Sequence, residues 1–116
     1  MENQEFEKQL IVKTQFYENF EKVLEYTIAT FGEKVAGNFY DTAMKKINKL
    51  SSQYGIYPLN RFVLSTNLKT FRNILINKYY IVYVVKKDCV VVLDIIYQGR
   101  NPISIKSDIK FAEKSK

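Results

Sequence analysis

Between Phe16 and Phe31 the residues Phe16, Phe20, Val23, Leu24, Thr27, Ile28 and Phe31 recur at three- and four-residue steps. That spacing lays one largely apolar stripe along an amphipathic helix. Thr14 stands just ahead of it, where a hydroxyl can cap the first turn. Gly32 follows it, where a left-handed C-cap costs least. A second stripe begins at once, with Val35, Ala36, Phe39, Tyr40, Ala43, Ile47 and Leu50, and runs to about Ser51. Two helices joined at a single glycine fold back on each other as a helical hairpin.

The period then changes. Residues 55–69 show no regular spacing, and Pro58 with the neighbouring Asn and Ser residues marks a long loop, a kind that is often functional. Thr70–Ile76, Tyr79–Val85 and Cys89–Tyr97 are rich in β-branched and aromatic residues, and only Asn77-Lys78 and Lys86-Lys87-Asp88 separate them. Short turns make these three consecutive antiparallel strands. The last two are almost continuously apolar, as central strands covered on much of both faces would be. A short strand, Gln9–Lys13, precedes the first helix. The expected fold class is α+β: an N-terminal strand, a helical hairpin and a three-stranded meander, about four strands in all. Phe20, Leu24, Phe39, Ala43, Ile47, Ile81, Tyr83, Val91 and Leu93 are the expected core. The hairpin covers one sheet face, and the other needs at least a partial further cover, which a partner segment lying as a helix or an added strand could supply. The tail, residues 103–116, alternates weakly and reads either as an added strand or as a segment that orders only with a partner.

Composition narrows the chemistry. The 116 residues fit one domain, residues 1–116. There is no histidine, which removes the commonest general base and excludes a Ser-His-Asp triad, and a zinc site is not expected. The lone Cys89 cannot form an internal disulfide and reads as inert packing. The start, Met1-Glu2-Asn3-Gln4-Glu5-Phe6-Glu7, is acidic and unlike a signal peptide, and no apolar run is long enough to span a membrane, so the expected location is cytoplasmic. Charge is uneven. Residues 1–60 carry 7 Lys/Arg against 8 Asp/Glu, and residues 61–116 carry 11 against 4, which together give the net +6. A basic half fits a polyanion or an acidic protein partner. Lys45, Lys46 and Lys49 fall off the apolar stripe and read as a solvated helix face.

The order of elements, with three stretches of sequence, resembles the RelE/ParE superfamily of toxins from type II toxin–antitoxin systems. Phe16 to Gly32 is similar to that family's opening helix. Lys69-Thr70-Phe71-Arg72-Asn73-Ile74 followed by Lys78-Tyr79-Tyr80-Ile81-Val82-Tyr83 resembles its "R-x-I … YxIVY" pattern. Val90 to Ile96 with Tyr97-Gln98-Gly99-Arg100-Asn101-Pro102 resembles its closing strand and exit. Together they cover residues 10–102. The resemblance implies a cognate antitoxin, a toxin–antitoxin hetero-oligomer, and no cofactor, metal or membrane. It implies one of two targets: DNA gyrase, poisoned by binding as ParE-like members do, or messenger RNA on the ribosome, cut as RelE-like members do. A non-toxic structural or regulatory module of the same fold is a third reading.

Metal-free RNA cleavage needs a base for the 2′-hydroxyl, charge on the phosphorane and a proton for the leaving oxygen. The resemblance places Arg72 and Arg100 at positions where nuclease members carry basic residues, and a guanidinium fork suits a phosphate. These two are expected to share one anion, with Arg61 of the long loop as a third anion-binding candidate. Tyr80 stands where nuclease members have an arginine, and Tyr97 where many have a histidine. Both are catalytic candidates, although a phenol with a pKa of ~10 is a poor base at neutral pH. Asp94 interrupts an apolar strand and needs a partner. If Arg72 is that partner, Arg72 is structural.

Overall fold

The computed structural model describes residues 7–115. Met1 to Phe6, most of the acidic start, and Lys116 lie outside the described residues. The elements are β1 (Gln9–Val12), α1 (Thr14–Phe31), α2 (Glu33–Asn48), the single turn α3 (Leu50–Gln53), β2 (Thr70–Ile76), β3 (Tyr79–Val85), β4 (Cys89–Tyr97) and α4 (Pro102–Lys114). Among the described residues no helix is long and apolar enough to cross a membrane.

The strand order is β1-β4-β3-β2. The three later strands form the expected antiparallel meander, and β1 adds parallel to β4 in the register Leu10 to Val90. The central strands β3 and β4 alternate between two apolar layers. Ile81 and Tyr83 join Phe16, Phe20, Phe39, Ala43 and Ile47 under the helical hairpin. Val82, Val84, Val91 and Leu93 join Ile105, Ile109 and Ala112 on the other side. Of the expected core residues only Leu24 is partly buried rather than buried. Burying each such aliphatic side chain contributes ~1.5–3 kcal/mol.

Three local expectations need correction. Lys13, extended at φ −72° and ψ 149°, is the N-cap of α1, and Thr14 lies inside the first turn without a capping bond from its side chain. The second helix does not reach Ser51 unbroken: it ends at Asn48, and α3 restarts after Lys49. Gly32 does bond back to the Ile28 carbonyl, but at φ 95° and ψ 169° it is not in the left-handed helical well. A Cβ there would meet nothing within 4 Å, so the requirement is conformational rather than steric.

The largest correction concerns the tail. Residues 102–114 are neither a strand nor a segment awaiting a partner; they form α4 and close the second sheet face. The Asn101 side chain accepts from the Ile103 N–H at 2.8 Å and Pro102 occupies the first turn, a strong helix start. Ile105, Ile109 and Ala112 fall on one face of that helix and are buried. Among the described residues, α4 thus occupies the apolar side of the central strands that the sequence reading left for a partner segment.

Candidate functional site

The two arginines lie in separate surroundings. Arg72 is on β2 opposite Tyr83, which is opposite Val92 of β4. Arg100 follows β4, eight residues beyond Val92. The Arg72 guanidinium donates to the Tyr57 carbonyl at 2.5 Å. The Arg100 guanidinium pairs with Asp108 at 2.7 Å and donates to Ser104, both on α4. Each arginine thus has its own local partner, in a different part of the fold. Arg61 is exposed, with its guanidinium 5.4 Å from the Phe62 ring.

Arg72 does not pair with Asp94. Leu93 is an extra residue in the ladder, between the pairs Tyr83–Val92 and Val82–Asp94. Such a bulge inverts the facing of the residues after it. Asp94 therefore does not share a face with Val90 and Val92, which pack under the hairpin with Arg72's neighbour Tyr83. It lies beyond the end of the β1–β4 ladder, where two amides of α1 reach it. Asn19 Nδ2 donates at 2.7 Å and Gln15 Nε2 at 2.8 Å, and the Ile95 N–H adds a third bond at 2.8 Å. Burial pushes the Asp94 carboxyl above the ordinary aspartate range, the three donors pull it back in part, and nearby Asp108 adds a smaller upward push.

Arg72 instead anchors the long loop. Around it the Asn73 N–H donates to the Pro58 carbonyl at 3.0 Å and the Asn60 N–H to the Phe71 carbonyl at 2.7 Å. The buried Asn60 side chain accepts from the Phe62 and Val63 N–H groups and donates to Asn73 Oδ1. Tyr83 holds the loop's start through its hydroxyl on the Tyr54 carbonyl at 2.7 Å. Sequence reasoning missed Asn60; a lone asparagine in an aperiodic stretch gives no sign of which backbone groups it will satisfy.

The two tyrosines also part. Tyr80 is half-buried on β3 and meets Phe62 edge-on at 6.3 Å. Tyr97, 45% exposed, ends β4 and packs edge-on against Tyr79 at 5.8 Å. The Tyr97 ring lies where a side chain at residue 99 would go: a Cβ on Gly99 would fall 2.5 Å from it. Tyr97 and Tyr79 form one wall of a cleft of about 610 Å³, with Asn77 and Lys78 at its rim. Tyr26, Phe31, Val35 and Phe39 form the other wall, from both sides of the hairpin bend. Burial raises the Tyr79 phenol above its ordinary value, and the phenols of Tyr26 and Tyr97 add to the rise. The Tyr79 hydroxyl stays protonated at neutral pH; it can donate a hydrogen bond but not act as a base.

Sequence reasoning missed Tyr26 and Lys78 as site residues and placed Phe31 and Val35 only on the apolar stripes. The signal was present in the stripes, which continue to Phe31 and Val35 although the structure leaves Phe31 63% exposed. The cleft is concave and apolar, with few polar groups at its edge, the usual character of a binding site.

Comparison with known proteins bears on this arrangement. No curated protein sequence matches the chain. A solved structure described as "Chromosomal ParDE TA system from P. aeruginosa" is similar in fold, with a TM-score of 0.64 at 12% identity, covering 78% of this chain and 95% of that one. Residues 10–102 match the family described as "ParE toxin of type II toxin-antitoxin system, parDE". On that match, which spans both helices of the hairpin and all of the four strands but Gln9, the chain belongs to the ParE toxin family of type II toxin–antitoxin systems.

Proposed function

We propose that this toxin arrests growth by binding an essential cytoplasmic target such as DNA gyrase, and that a cognate antitoxin neutralises it. The observation that carries the reading is the dispersal of the groups RNA cleavage would need. Arg72 is engaged by the Tyr57 carbonyl and Arg100 by Asp108, in different parts of the fold. The aromatic cleft at the hairpin bend is concave and apolar, and it suits a protein segment better than a phosphate. Family membership supports the toxin role, and the parDE name of the matched family supports an antitoxin partner.

A ribosome-dependent endoribonuclease is the second reading. Its support is the group of Tyr26, Tyr79 and Tyr97 with Lys78 at the cleft, which offers hydrogen-bond donors and one cation. Induced expression with parallel assays separates the two. The binding reading expects growth arrest, loss of gyrase supercoiling activity with purified toxin, and no new message ends on primer extension. Cleaved messages with unimpaired gyrase would replace it with the nuclease. Normal growth on expression would leave only a non-toxic module.

A further inference from the structure

The end of the molecule away from the aromatic cleft is built from lysines. Lys45, Lys46 and Lys49, at the C-terminal end of α2, line a shallow depression of about 270 Å³ with Asp41, Thr42, Gln53 and Tyr57. Two contacts extend this cluster. The Lys8 N–H donates to the Ser51 carbonyl of α3 at 2.7 Å. Its ammonium donates to the carbonyls of Lys86 and Lys87, at 2.8 and 2.5 Å, which brings the β3–β4 turn beside α3. Among the described residues six lysines thus share one end, against Glu7, Asp41 and Asp88. Among the described residues no carboxylate forms an ion pair with any of the six, whereas Lys69 and Arg100 elsewhere each have one.

A helix C-terminus favours cations and accounts for part of the α2 group. It does not account for Lys8, Lys86 and Lys87, whose approach gathers further positive charge that no ion pair among the described residues neutralises. The chemistry of the surface selects among anions. Protein interface cores are poor in lysine and use aromatic or aliphatic anchors. Here Ala43 and Ile47 of the same helix segment are buried, and the exposed Ile56 beyond α3 is a single side chain rather than an apolar core. Single-stranded nucleic acid is held by bases stacked on open aromatic faces. The two rings at this end already face cations: Lys8 lies 5.0 Å from the Tyr54 ring and Lys46 lies 5.9 Å from the Tyr57 ring. What is left is a spread of point charges, which contact phosphates without reading bases.

We propose that this lysine-rich end binds the phosphate backbone of duplex DNA without sequence preference. The inference is independent of the gyrase reading, because it concerns DNA bound by the purified chain itself.

The test is fluorescence anisotropy with a short labelled DNA duplex, between about 50 and 200 mM salt. It compares the parent with two triple variants of equal net charge: Lys45→Gln/Lys46→Gln/Lys49→Gln, and Lys22→Gln/Lys34→Gln/Lys110→Gln at exposed sites elsewhere. Loss of three phosphate contacts is expected to lower the slope of log K against log salt by about 2.7, and to weaken binding at least ~10-fold. The control triple should stay within ~2-fold of the parent. Melting temperatures confirm folding, and if the first triple does not fold, Lys86→Gln/Lys87→Gln should show the same loss with a slope change of about 1.8. Equal weakening by the two triples would mean that net charge alone acts and would overturn the proposal. So would no binding by the parent at the lowest salt, or tighter binding to single-stranded RNA or a polyglutamate peptide than to the duplex.

Discussion

At the scale of single residues, the energetics centre on a fully buried carboxylate held by amides rather than by a cation. Asp94 takes bonds from Asn19, Gln15 and the Ile95 N–H, and its pKa is raised chiefly by burial. The folded state therefore binds this proton more tightly than the unfolded chain does. Stability contributed by Asp94 is present in acid and is lost as pH rises from the ordinary aspartate value through the raised one. Asp94→Asn keeps the shape and removes the titration, and either amide of α1 can turn to present its oxygen. Urea unfolding across acidic to neutral pH should give a flatter stability profile for the variant, with no loss at neutral pH. Parallel profiles would show that Asp94 does not titrate in the folded state. The sequence reveals the oddity of Asp94 in an apolar strand but not its partner. The bulge at Leu93 turns it away from Arg72, and Gln15 and Asn19 look like any polar positions on a solvated helix face.

At the scale of elements, legibility tracks periodicity. The helical hairpin and the three long strands follow from spacing, because each stripe or alternation spans many residues. The parallel addition of β1 to β4 does not, because four residues carry no statement of where they pair. The α4 segment escapes sequence reasoning although its start is written in Asn101-Pro102. Weak alternation at Ile103, Ile105, Ile109 and Phe111 masks the helical triplet Ile105, Ile109 and Ala112. Its energetic role is testable by contrast. Ile109 is fully buried and Ile103 is 80% exposed on the same helix. Ile109→Ala should cost ~2–5 kcal/mol in chemical denaturation, and Ile103→Ala should stay within ~0.5 kcal/mol. Were α4 a loosely attached tail, both substitutions would be silent.

At the scale of the whole molecule, charge and apolar surface segregate to opposite ends of the sheet. Lysines gather where β3 turns into β4, and aromatic side chains gather where β2 turns into β3 and the hairpin bends. Folding does not require every member of the second gathering. Ile28, Phe31 and Val35 extend the two core stripes past the sheet and remain exposed, and a polar residue at any of them would cost the fold little. Exposed apolar surface that is concave and gathered in one place marks an interface. On the binding reading, the cleft is the surface through which the toxin meets a protein partner. Phe31→Ser combined with Val35→Ser should then leave the melting temperature nearly unchanged, improve solubility of the purified chain and abolish growth arrest on induction. The paired measurement decides between structure and function. Lost arrest with a lowered melting temperature would assign these residues to stability, and retained arrest with an unchanged melting temperature would remove the cleft from the toxin's action.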